Sequence, residues 1–305
     1  MESMSDLASI FVMQGFNGLS NFCVLLLMAL GLAIIFGQMG VINMAHGEFL
    51  TIGAYTTYVL SEVSQAWAPW LADSYFLLAI AMSFLLAAGV GLLVEHLMIR
   101  HLYTRPLDTL LATWGLSLIM QQGFRSVFGA REVSATLPNW LMGSLKPSAS
   151  IDIPINGLLI MGLTALLTTA IFIGLLRSRW GIRVRATTQN RVIAGAVGID
   201  TRRVDRLTFG LGCGLAGIAG AAFTTIGSTG PTSGSLYIVD TFLVVVFGGT
   251  ESLLGAIASS FSIAQTQATL EFFMSGSIAK VLTLMTVIGI LMLRPQGLFA
   301  VKVRR

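Results

Sequence analysis

Two glutamates interrupt an otherwise apolar chain, each in a glycine-broken stretch. Glu48 ends the run Gln38-Met-Gly-Val-Ile-Asn-Met-Ala-His-Gly-Glu48, with Asn43 and His46 beside it, and Glu251 follows Gly248 and Gly249 in Phe247-Gly-Gly-Thr-Glu-Ser252. A charge in hydrocarbon is costly, so each carboxylate must face protein, water or a membrane interface. One reading makes Asn43, His46, Glu48, Gly248, Gly249 and Glu251 the lining of a solute path or gate, with Asn43 and His46 hydrogen-bonded to Glu48. The other makes each glutamate a helix-end residue at the cytoplasmic headgroups, satisfied by nearby backbone N–H groups. The preceding segments Ala33-Ile-Ile-Phe-Gly37 and Val244-Val-Val-Phe-Gly248 echo one another weakly. Glycine-broken segments in corresponding halves point to a transport path. A chance match in a glycine-rich chain gives the same echo.

The remaining chemistry is defined by what is missing. A Walker ATPase needs G-x-x-x-x-G-K-[ST], and the chain's lysines, Lys146, Lys280 and Lys302, do not follow glycine. No nucleophile–base pair and no metal-ligand spacing stands out, so neither a catalytic residue nor a metal is expected. Cys23 and Cys213 lie in apolar spans and read as buried thiols. Glu95 and His96, near Arg100, and Asp240, Glu271 and Lys280, near span ends, read as structural.

These residues must be positioned by membrane helices. Of 305 residues, 55% are hydrophobic and 10% charged, against roughly 25% charged in a soluble domain. Uniformly apolar runs exclude the alternating strands of a β-barrel and predict an all-α polytopic membrane protein. Spans are expected at 17–37, 49–66, 75–99, 107–128, 155–176, 207–227, 236–248, 252–271 and 278–293. This amounts to about eight transmembrane helices with glycine-broken or re-entrant segments, in one domain over 1–305. The glycines from Gly210 to Gly220, interleaved with alanines, read as a close-packing seam.

Eight arginines, Arg177, Arg179, Arg183, Arg185, Arg191, Arg202, Arg203 and Arg206, fall in segment 177–206. With Arg100, Arg105 and the basic C-terminus they put fourteen of the eighteen Lys and Arg on one face, which the positive-inside rule assigns to the cytoplasm, with the N-terminus outside and the C-terminus cytoplasmic. The net charge of +4 reflects that excess and not a nucleic-acid partner. Trp67 and Trp70 fall on the outer side as interfacial anchors. Within 177–206, Asn190 can cap a short helix from Arg191 and Gly198 can end it. Val192, Ile193, Ala196 and Val197 share one face of that helix. The patterned apolar stripe favours docking a partner; a basic loop on anionic lipid is the alternative.

Three patches resemble the branched-chain amino-acid ABC transporter permeases. They are Gly31-Leu-Ala-Ile-Ile-Phe-Gly-Gln-Met-Gly-Val-Ile-Asn-Met-Ala-His-Gly-Glu-Phe49; Gly181-Ile-Arg-Val-Arg-Ala with Asn190, Ala194 and Gly198-Ile199; and Leu293-Arg-Pro-Gln-Gly-Leu-Phe299. Met39 to His46, with Phe16-Asn-Gly-Leu-Ser-Asn21, look most like the family's urea-transporting branch. The resemblance implies a bacterial inner-membrane permease subunit without a cofactor of its own. Its partners would be a second homologous permease, two cytoplasmic ATPase subunits that bind ATP and magnesium, and a periplasmic solute-binding protein, all around a lipid bilayer. It makes Arg183, Arg185, Asn190, Ala194, Gly195 and Gly198 the ATPase-docking positions, although 177–206 lacks the Glu-Ala-Ala of better-known importer loops. The leading expectation is urea import. A permease for branched-chain amino acids or amides, and an ATP-independent small-solute channel, are the alternatives. A membrane-anchored scaffold without transport activity fits the glycine-broken spans poorly.

Overall fold

The computed structural model describes residues 2–103, 105–148, 151–249, 252–294 and 297. Glu251, Lys302, Arg304, Arg305 and most of the Leu293–Phe299 motif lie outside them. Among the described residues the long elements are α1 (Glu2–Met39), α2 (His46–Ala66), α3 (Tyr75–Leu97), α4 (Pro106–Phe128), α5 (Ile155–Arg177), α6 (Arg179–Gln189), α7 (Arg191–Ala196), α8 (Thr201–Phe223), α9 (Ser233–Gly248), α10 (Leu253–Phe273) and α11 (Gly276–Leu293). Every expected span coincides with a helix. Eight have at least 18 residues, and α9 has 16, short for a core of about 30 Å at roughly 1.5 Å per residue.

Glycine makes α8 the hub. It packs on α1, α2 and α3 with almost no lipid-facing surface. A Cβ on Gly31 would fall 2.5 Å from the Gly212 carbonyl oxygen, and one on Gly212 2.6 Å from that of Gly31. The two helices therefore touch backbone to backbone. The packing expectation for this seam holds, and the seam lies inside the chain. Around it, α3, α4 and α5 turn leucines such as Leu85, Leu111 and Leu166 outward, as helices facing lipid must. Cys23 and Cys213 are buried free thiols.

The 129–154 connection is more ordered than its composition indicates. Val133 pairs with Thr229, and the strands β1 (Ser144–Ser148) and β2 (Ile151–Pro154) form an antiparallel hairpin. Tyr75 donates to the Thr136 carbonyl at 2.5 Å and Trp140 to that of Asp73 at 2.6 Å, tying this connection to the start of α3. Trp67 and Trp70 are exposed.

The described residues of the two glycine-broken stretches take different paths. Segment 40–45 runs back along α1, whereas α9 ends at Gly248, and the Gly249 carbonyl accepts from the N–H of Ser252, the residue that caps α10. The segment that meets 40–48 is instead the one leading into α9.

Candidate solute pathway and docking segment

Gly40, with φ +63°, turns the chain back at the end of α1. The His46 ring then donates through Nε2 to the Met28 carbonyl at 3.1 Å, about three turns or 16 Å before that end. Helix α2 therefore begins within the bundle. Asn43 accepts from the Ala45 N–H at 3.1 Å, and Gly234 in the first turn of α9 donates its N–H to Thr51 Oγ1 at 3.0 Å. Gly47 and Gly234 abut, so the positive N-terminal ends of α2 and α9 meet.

Asn43, His46 and Glu48 are fully buried, but they do not form the expected local network. Each points to a different partner because successive residues of a helix start diverge by about 100°. Glu48 turns to α4: one carboxylate oxygen accepts from Ser117 Oγ at 2.9 Å and Gln121 Nε2 at 2.8 Å. Glu48 sits in the first turn of α2, but it is buried and its hydrogen bonds come from α4 side chains, not from backbone N–H groups.

Sequence reasoning missed the other half of this site. Thr109, Thr113, Ser117 and Gln121 recur every four residues and form one polar stripe along the inner face of α4. Thr113 accepts from the Met44 N–H at 3.1 Å. The opposite face carries exposed Leu107, Leu111, Trp114 and Leu118. The signal was present as an i, i+4 polar repeat inside an apolar span. Four buried polar atoms remain without a partner here and just above: Glu48 Oε2, Asn43 Nδ2, His46 Nδ1 and Tyr55 OH. An unmet buried polar group costs roughly 1–3 kcal/mol. The α2–α4 seam thus offers both an unused acceptor and an unused donor.

Gly248 and Gly249 have a different setting. A Cβ on Gly248 would sit 2.5 Å from the Gly255 oxygen, Gly249 has φ +94°, and Ser252 caps α10 by accepting from Gly255 N–H at 3.0 Å. These residues make the α9–α10 crossing and turn. On the far side of α9, a cavity of about 310 Å³ is lined by Glu132, Tyr237, Asp240, Gln267, Glu271 and Lys280. There Lys280 pairs with Asp240 at 2.8 Å.

The arginine-rich segment is more helical than a loop. Ser178 caps α6 by accepting from Gly181 N–H at 3.0 Å, and Gly181 packs on the last carbonyls of α5. Asn190 caps α7, accepting from Ile193 N–H at 3.0 Å. Gly198, with φ +87°, ends it: Gly198 N–H bonds to the Gly195 oxygen and Ile199 N–H to that of Ala194, a Schellman closure. Val192, Ile193, Ala196 and Val197 are exposed as expected, together with Arg183, Gly195 and Gly198. Arg185 is exposed but bonds back to the Leu175 carbonyl. Ala194 is a correction: it is buried, because it lies on the α7 face turned to the bundle, so it seats α7 and offers no outer surface.

Residues 15–293, which include both the seam and the α6–α7 segment, match the family described as branched-chain amino acid transport system / permease component. The high-affinity branched-chain amino acid transport system permease protein LivH of Salmonella typhimurium is 28% identical over 305 residues, covering 97% of each chain. The probable branched-chain amino acid transport permease protein LivH of Methanocaldococcus jannaschii is 25% identical over 316 residues, covering 98% of this chain and 95% of its own. BraD of Pseudomonas aeruginosa, a high-affinity branched-chain amino acid transport system permease protein, is 25% identical over 293 residues, covering 94% and 95%. No solved structure matches. With five helices among the described residues long and apolar enough to cross a membrane, and a family match over most of its length, this multi-pass membrane protein belongs to the branched-chain amino acid transport system permease family.

Proposed function

We propose that the chain is the permease subunit of an ATP-driven importer for branched-chain amino acids. The observation that carries this reading is end-to-end similarity to relatives named for branched-chain amino acid transport. It shifts the substrate from urea, the leading expectation from sequence, to the amino-acid alternative. Residues 1–305 act as one transmembrane domain. ATP and magnesium are bound by two cytoplasmic ATPase subunits, a second homologous permease completes the path, and a periplasmic binding protein delivers the solute. The exposed apolar face of α7 receives an ATPase subunit, with Arg183 and Arg185 beside it.

The N-terminus lies outside and the C-terminus inside. Contacts of Arg191 with Tyr103 and of Arg206 with Glu95 support this, because they gather the arginines of both connections at one end of the bundle. The α2–α4 seam forms part of the solute path, with Glu48, Asn43, Ser117 and Gln121 as its polar groups.

A second reading, urea, is favoured by the Met39–His46 and Phe16–Asn21 patches and by the mainly neutral donors and acceptors of the seam, which suit a small amide. Uptake of labelled leucine and labelled urea by a deletion strain carrying the complete importer separates the two. Leucine uptake that excess urea does not compete supports the amino-acid reading. Saturable urea uptake without leucine uptake overturns it. Urea uptake by this chain alone in vesicles, without ATP, overturns both in favour of a channel.

A further inference from the structure

The cytoplasmic end of the bundle holds two buried carboxylates, Asp205 on α8 and Glu95 on α3. Their cationic partners come from the arginine-rich segment and the helix that follows it. Arg191, the first residue of α7, pairs with Asp205 Oδ2, and Arg206 Nε lies 3.4 Å from Glu95 Oε2. The other Asp205 oxygen accepts from Gln38 Nε2 at 3.1 Å. Gln38 is the penultimate residue of α1, immediately before the Gly40 reversal that leads to His46 and Glu48. The Arg191 guanidinium also lies over the Tyr103 ring, 5.2 Å from its centroid, and Tyr103 OH donates to Glu95 Oε1 at 2.7 Å. Burial, reinforced by that bond, holds the Tyr103 hydroxyl well above the usual phenol range, so it stays a donor. One continuous polar chain therefore runs from α7 to the end of α1, the start of α8 and the turn before α4.

From this geometry we infer that Arg191 and Asp205 are the coupling pair of the importer: Arg191 carries displacement of α7 to Asp205 and Gln38, and so to the α1–α2 reversal at the solute path. The inference rests on α7 being the ATPase-docking helix. Apart from Arg191 and Ala194, α7 turns its side chains outward, so α7 is held to the membrane helices through this pair and the seat of Ala194. Only the carboxylate of this pair is buried, Arg191 being exposed, but the tie is still stiff, because separating it strands a carboxylate in a low dielectric. Arg191 is a positioning residue and contacts no solute.

The test uses the complete importer in proteoliposomes, with uptake, ATP hydrolysis and ATPase co-purification measured together. Arg191→Gln and the double variant Arg191→Gln/Asp205→Asn, which leaves no unpaired buried charge, are each expected to lower solute uptake roughly tenfold. ATPase subunits should still co-purify, and ATP hydrolysis should continue but lose its response to loaded binding protein. Arg191→Lys is expected to restore part of the coupling. Normal uptake in the double variant overturns the inference, as does loss of co-purification, which would make Arg191 part of the docking surface itself. Val192→Glu run in parallel tests docking alone. If it retains the ATPase, the docking reading fails; if it loses the ATPase while Arg191→Gln transports normally, only the coupling inference fails.

Discussion

At the arginine-rich end of the bundle, Asp205 and Glu95 each have an arginine, although Glu95 Oε2 faces Arg206 Nε at 3.4 Å without accepting a hydrogen bond; in the α2–α4 seam, Glu48 has only neutral donors, and one of its oxygens has neither a hydrogen bond nor a cation. Both regions bury carboxylates in a membrane protein, yet one closes its charge balance and the other leaves it open. A paired and hydrogen-bonded charge favours one geometry and resists change. A site with an unmet acceptor and an unmet donor is completed only by water, a passing solute or a second arrangement of its helices. The paired region therefore suits transmission of movement, and the unpaired region suits transient contact.

Four tests by substitution sharpen or break this contrast. The largest effect is expected for Glu48→Ala, which removes the acceptor of both Ser117 and Gln121. Uptake should fall about 100-fold, the equivalent of about 3 kcal/mol, with the chain still present in membranes, and Glu48→Gln should fall less. Equal uptake by Glu48→Ala and the parent would remove the seam from the path. Next is Ile193→Glu on the exposed face of α7. ATPase retention on affinity-purified permease should drop by about tenfold or more, as for an interface anchor, with no change in membrane insertion.

Replacing the α4 donors, Ser117→Ala with Gln121→Leu, is expected to reduce uptake by roughly fivefold, about 1 kcal/mol, without affecting ATPase retention. Loss of retention would mean that the two regions are not separable. The smallest effect is expected for Gly198→Ala, where φ +87° costs an alanine about 1 kcal/mol. It should be visible as faster proteolysis of the α7–α8 connection, with uptake little changed.

Much of the frame is readable from the chain because its signals are local. Apolar run length places a helix at each of the nine expected spans, and Asn190 and Gly198 mark α7 by capping chemistry that acts over a few residues. Helix α6 escapes notice because its buried positions, Gly181, Val184 and Thr187, are small or polar and leave no hydrophobic stripe. The partners of Glu48 and Asp205 are harder still. Ser117 and Arg191 reach them only after α2 meets α4 and α7 meets α8, and no local spacing records which helices become neighbours. Ala194 shows the same limit on a smaller scale: its place in a conspicuous segment draws attention, but which way its face turns depends on the bundle beneath.

The burial of α8 has a consequence for how the chain is made. Among the described residues it is the least apolar of the five helices long and apolar enough to cross a membrane, and the most enclosed, with glycines where lipid-facing helices such as α3 carry leucine. Helices like α3 and α5 can partition into the bilayer on their own hydrophobicity, whereas α8 gains its place by meeting α1, α2 and α3, all synthesised before it. The order of elements along the chain is thus also an order of biogenesis: the receptacle is built first, and the helix that joins the arginine-rich segment to the core is admitted into it afterwards.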